Sequence, residues 1–282
     1  MKANRFRARW LATMALLATA ALPADRQTAQ TFERPVRRMV TGHYLLYLPE
    51  TYGQERRQRW PLVLFLHGAG ERGTDLEQVK KHGPPKLVAA GQSFPFILVS
   101  PQCPANQWWP PEVLSALLDE VVEKYAVDQN RIYVTGLSMG GFGTWALAAQ
   151  QPDRLAAIAP ICGGGDPRIV PRLKDLPVWA FHGALDTTVP PAQSQALVDA
   201  LRAAGGNVRF TLYDDAAHDA WTRTYADPKF FEWLLHQQRR TRHWYDGLLP
   251  GKKRPTDAGQ SRQKAARAET GDRADEPQRS QR

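Results

Sequence analysis

Arg131-Ile-Tyr-Val-Thr-Gly-Leu-Ser-Met-Gly-Gly-Phe-Gly-Thr-Trp145 is the stretch on which the reading of this chain turns. Ile132 to Thr135 are strand formers, Gly136-Leu137-Ser138-Met139-Gly140 follows without a break, and Trp145 to Ala149 are good helix formers. Strand, sharp turn and helix in that order make Gly-x-Ser-x-Gly a nucleophile elbow, with the serine hydroxyl pushed out above a sheet. Gly136 and Gly140 fall where a Cβ would collide with a neighbouring element, and Gly141 and Gly143 let the new helix start close to the strand.

Outward from this stretch, unbroken apolar runs recur: Pro61 to Leu66, Phe96 to Ser100, Ala156 to Ile161 and Val178 to His182, with Arg209 to Tyr213 the last strand-like segment and His43 to Leu48 the first. Continuous rather than alternating hydrophobicity marks strands buried on both faces. Helical segments separate them: Pro111 to Tyr125, Phe142 to Gln150, Ala192 to Ala204 and Asp227 to Gln238. The alternation predicts an α/β fold, with a mostly parallel sheet and helices on both faces. Only Gly163 to Leu176 separate two of these strands, too little chain for a large lid domain.

A serine hydroxyl needs a neighbouring base, and the base needs an acid that fixes its tautomer. Behind an elbow of this kind the order is serine, acid, histidine, each after a strand. Asp186, in the turn after Val178 to His182, is the candidate acid; Asp166 is its main competitor, with Asp214 and Asp215 behind. His218 follows the strand Arg209 to Tyr213 and is the candidate base. His67 and His182, at strand ends before glycine, read as structural, and His236 and His243 as surface residues. An oxyanion needs two donors. Met139 N–H, just after the nucleophile, is one, and the loop His67-Gly68-Ala69-Gly70-Glu71-Arg72-Gly73 offers the other at Ala69, with Gly70 second choice.

These segments, together with Pro160-Ile161-Cys162-Gly163-Gly164-Gly165 and His218-Asp219-Ala220-Trp221, resemble the α/β-hydrolase fold over about Val40 to Gln238. More narrowly they resemble an exported "predicted peptidase" and phospholipase/carboxylesterase-like group, related to dienelactone hydrolase and polyhydroxybutyrate depolymerase. The resemblance implies a Ser138-Asp186-His218 triad and hydrolysis of a carboxylic ester without a cofactor or metal. Dienelactone hydrolase itself uses a cysteine nucleophile, so its substrate does not carry over to Ser138.

The ends of the chain read differently. Lys2, Arg5, Arg7 and Arg9 precede an uncharged apolar run, Trp10 to Leu22, and then small residues. Residues 1–24 are thus expected to be a signal peptide, giving a periplasmic or secreted protein with no stable membrane span after cleavage. Residues 251–282 lack Val, Ile, Leu, Met, Phe, Tyr and Trp and are expected to be a disordered charged tail. The net charge of +9 is concentrated in these ends; residues 25–250 hold 24 basic and 23 acidic residues. A nearly neutral body argues against a nucleic-acid partner. The two cysteines, Cys103 and Cys162, are too few for a disulfide framework or a metal site, and the sequence leaves their pairing open.

Trp108, Trp109 and Trp221 flank the expected site and are candidates for stacking on a substrate ring. The reading is therefore an exported serine hydrolase acting on a small-molecule or polymer-borne ester. Its rivals are a serine peptidase or an acyltransferase of the same fold, and a non-catalytic polysaccharide-binding protein.

Overall fold

The structure, a computed structural model, describes residues 39–239. The expected signal peptide (1–24), the charged tail (251–282) and His243 lie outside those residues. The chain separates into a unit at Met1–Met39 and one at Val40–Arg282, and every element below belongs to the second.

Seven strands form one sheet: β1 (Tyr44–Tyr47), β2 (Trp60–Leu66), β3 (Ile97–Pro101), β4 (Val127–Leu137), β5 (Ala157–Ile161), β6 (Val178–Gly183) and β7 (Val208–Tyr213). Their spatial order is β1-β3-β2-β4-β5-β6-β7, with β1 antiparallel to β3 and every other pair parallel. Among the described residues six helices cover it: α1 (Gly83–Ala89), α2 (Pro111–Lys124), α3 (Met139–Gln150), α4 (Ala192–Ala203), α5 (Trp221–Ala226) and α6 (Pro228–His236).

Strand β2 shows why its apolar run is continuous. Leu62, Leu64 and Leu66 join one core with Leu114 and Leu118 of α2, Trp145 of α3 and Leu197 of α4. Val63 and Phe65 join a second core with Tyr225 of α5 and Phe230 and Leu234 of α6. Successive side chains point to opposite faces, so a sheet covered on both sides needs an apolar residue at every position. Each such side chain contributes about 1.5–3 kcal/mol on burial.

Three departures from the sequence-based elements have local causes. Helix α1 is absent from the expected elements; Gly83, Pro84 and Pro85 open it, because proline in a first turn has no amide hydrogen bond to lose. Gly140 and Gly141 read as loop but already belong to α3. The expected helix from Asp227 begins after a separate short one, α5; Asp227 caps α6 by accepting from Lys229 N–H, and Pro228 takes the first helical position. The connection from β5 to β6 holds only a 3-10 segment, Pro167–Leu173.

Candidate active site

Parallel strands deliver their C-terminal ends to one edge of the sheet, and the expected site residues gather there. Strand β4 runs into Ser138, which stands at φ 52°, ψ −118°, a conformation that strains any residue with a Cβ. The turn is held from both sides. Ser138 N–H donates to Ile161 O of β5 at 2.9 Å, and Phe142 N–H returns to Ser138 O at 3.1 Å. Gly140 lies against the Leu66 and His67 carbonyls.

His218 Nε2 is 3.0 Å from Ser138 Oγ, and His218 Nδ1 is 2.7 Å from Asp186 Oδ2. Ser138 and His218 are partly exposed, whereas Asp186 is buried. Its other oxygen, Oδ1, accepts the backbone N–H groups of Thr188 and Val189, each at 2.9 Å. Burial alone would raise the Asp186 pKa, but the hydrogen bonds from His218, Val189 and Thr188 hold it below the ordinary carboxylate value. The competing acids are used elsewhere. Asp166 caps the 3-10 segment through Arg168 N–H and pairs with the Arg168 guanidinium, while Asp214 and Asp215 are exposed.

The loop after β2 is pinned beside the elbow. Cys103 N–H donates to His67 Nε2 at 3.0 Å, which puts the ring proton on Nδ1, where it donates to Gly68 O at 2.6 Å. Burial pushes the His67 pKa down, consistent with that neutral tautomer. Gly68 N–H donates to Glu71 Oε2 at 3.0 Å, and Arg72 Nε donates to Ala69 O. Ala69 opens a 3-10 turn and Met139 opens α3, so neither N–H has an acceptor within its own helix. Gly68 abuts Leu137, the residue before Ser138. The part played by Glu71 was not anticipated, although Gly68-x-x-Glu71 has the spacing of a capping box.

The three tryptophans separate. Trp108 is 60% exposed and meets Phe142 edge-on at 5.8 Å between ring centroids. Trp109, expected to flank the substrate, serves the fold instead: it is buried, donates Nε1–H to His67 O at 3.1 Å and packs against Gly143. Trp221 is buried with its ring edge-on to His218 at 5.1 Å, and His82 lies 5.7 Å away on the same indole. The cysteines are unpaired and buried; Cys103 Sγ donates to Trp108 O and Cys162 Sγ to His218 O, each at 3.3 Å. Cys162, His182 and Asp186 bring three potential ligand atoms within 4.8 Å of one another. Burial pushes the Cys162 thiol up to about 12, so it stays protonated and acts as a donor there. A shallow cavity of about 370 Å³ lined by Arg154, Arg172 and Arg239 lies at the far end of α3 and adds nothing to this arrangement.

A mostly parallel sheet with helices on both faces, and a strained serine between β4 and α3, define an α/β-hydrolase fold. The model of the dienelactone hydrolase family matches residues 108–246, and over that stretch the chain is similar to the family. It is 33% identical over 121 residues to poly(3-hydroxyalkanoate) depolymerase C of Paucimonas lemoignei, covering 37% of this chain and 28% of that protein. It is 26% identical over 138 residues to a bifunctional acetylxylan esterase/xylanase of Neocallimastix patriciarum, covering 45% of this chain and 19% of that one. Among solved structures, a thermostable esterase is 37% identical, with a TM-score of 0.62 over 70% of this chain and 59% of its own. The match thus spans 28% and 19% of the length of the two curated relatives.

Proposed function

We propose that this chain is an exported serine esterase that cleaves carboxylic esters of small molecules or polymers through an acyl-enzyme. The observation that carries the reading is the unbroken line of hydrogen bonds from Ser138 Oγ through His218 to Asp186. Ser138 Oγ attacks the acyl carbon as its proton passes to His218 Nε2, and Asp186 stabilises the imidazolium through Nδ1–H. Met139 and Ala69 N–H hold the oxyanion, where loss of one donor typically costs about 3 kcal/mol. His218 then returns the proton to the leaving alcohol. Water, deprotonated by the same ring, releases the acid and restores Ser138. No cofactor enters the cycle.

The relatives' names favour esters, and the short connection between β5 and β6 leaves no room for a folded lid there. Ser138→Ala is expected to abolish p-nitrophenyl acetate turnover and fluorophosphonate labelling while circular dichroism and Tm are kept; undiminished turnover overturns the reading. Export rests on the tripartite N-terminus. Residues 1–24 fused to a reporter active only outside the cytoplasm test it, and a silent reporter would remove that part of the proposal.

A further inference from the structure

A second histidine meets the carboxylate that supports His218. His182, near the end of β6, is fully buried, and its Nε2 lies 2.9 Å from Val189 O and 3.2 Å from Asp186 Oδ2. A carbonyl oxygen only accepts, so Nε2 carries a proton, which it donates to the Val189 carbonyl while lying in close electrostatic contact with the Asp186 carboxylate. On the other side of the ring, Nδ1 is 2.7 Å from Ser194 Oγ of α4, which also lies 2.8 Å from Gly163 O. Burial pushes the His182 pKa below the ordinary histidine value. The ring is then neutral with its proton on Nε2, and the single hydroxyl proton of Ser194 is divided between Nδ1 and Gly163 O. The titratable groups around it are Asp186, His218 and the protonated thiol of Cys162.

Asp186 therefore receives three hydrogen bonds, two from backbone N–H groups on Oδ1 and one from His218 on Oδ2, and the His182 Nε2–H faces the same Oδ2 at 3.2 Å. The second imidazole does two things. Through Val189 O it ties the turn Asp186–Val189 to β6, and through Oδ2 it draws on negative charge that His218 would otherwise have to itself.

We propose that His182 is a positioning residue for the reaction: its Nε2–H fixes the Asp186 carboxylate and moderates how strongly that carboxylate holds a proton on His218. The inference rests on the Ser138-His218-Asp186 reading above. Removing the donor leaves Asp186 more negative toward His218, so the acid limb of the activity profile moves to higher pH.

The test measures kcat and KM for p-nitrophenyl acetate against pH in the wild type, His182→Leu and His182→Gln, the last keeping an N–H donor near Nε2. In His182→Leu the acid limb of kcat/KM is expected to rise by about half a unit to one unit, with kcat roughly tenfold lower and KM unchanged. His182→Gln is expected to return the limb to its wild-type position. An unmoved limb in folded His182→Leu, or a limb equally displaced in both variants, overturns the inference. Should the leucine variant fail to fold, nitrogen NMR of histidine-labelled wild type decides: an Nε2–H tautomer for His182 across the activity range supports the proposal, and a bare Nε2 overturns it. Fluorophosphonate labelling of Ser138 in the wild type is the control. Failure to label sinks the esterase reading itself, whereas normal labelling with an unmoved limb sinks this inference alone.

Discussion

Gly140 stands so close to Leu66 that a Cβ on the glycine would overlap the leucine's carbonyl oxygen. The contact joins the first turn of α3 to the end of β2, so the strained serine between β4 and α3 sits on a turn whose helical side is held against backbone. Gly140→Ala is expected to destabilise the fold by about 1–3 kcal/mol or more, since backbone has nowhere to yield. Urea unfolding measures it, with Gly70→Ala as control, because a Cβ at Gly70 meets nothing within 4 Å. Equal stability of the two variants would show that the elbow tolerates the extra atom.

Asp186→Asn tests the carboxylate. The amide cannot hold His218 in the required tautomer and also accept from the Thr188 and Val189 N–H groups, so kcat is expected to fall by about four orders of magnitude. The fold should respond to pH in a matching way. A carboxylate whose pKa is depressed on folding contributes stability above its unfolded value of about 3.8, and loses it as pH falls through the folded value. The stability advantage of the wild type over Asp186→Asn is thus expected to be full at neutral pH and to shrink in acid; an advantage independent of pH would contradict the depressed value.

Trp108 and Trp109 are neighbours with opposite roles. Trp108→Ala is expected to change stability by less than about 0.5 kcal/mol and to raise KM for bulky aromatic esters while p-nitrophenyl acetate turnover holds. Trp109→Ala empties a core site and is expected to cost about 3–5 kcal/mol. Thermal melts of both, with kinetics on the folded one, separate the two cases.

Tyr133 and Tyr225 govern the alkaline side. Tyr133 hydroxyl donates to Gln237 O at 2.6 Å, and Tyr225 hydroxyl lies 2.9 Å from Thr135 Oγ1. Burial pushes both phenols well above the ordinary value of 10. A phenol raised on folding contributes fully below its unfolded pKa, and that contribution is lost as pH climbs beyond it. Unfolding free energy is therefore expected to drop above pH 10, with these two tyrosinates forming only as the protein opens. Rapid tyrosinate absorbance from every tyrosine in the native state would refute this.

The sheet was readable from the chain because its signal is local: continuous apolar runs at β2, β3, β5 and β6, punctuated by glycine and proline. The serine, acid and base were readable as an order, since each follows its own strand, and the structure brings Ser138, His218 and Asp186 within hydrogen-bond reach. What stayed hidden depends on loops and distant partners. Nothing in the dipeptide Trp108-Trp109 says which ring turns inward, because a loop has no period. His182 read as structural because its contacts come from Val189, Asp186 and Ser194, beyond its own strand. Helix α1 was obscured by prolines that disfavour a helix interior but suit its first turn.

The two thiols end on carbonyls rather than on each other, Cys103 on Trp108 O and Cys162 on His218 O. Burial pushes Cys103 up to about 11 and Cys162 to about 12, so almost no thiolate is available to be oxidised near neutral pH. The fold consequently owes nothing to the redox potential around it. Its melting temperature should be the same with and without dithiothreitol, and the domain should mature as well in a reducing compartment as in an oxidising one.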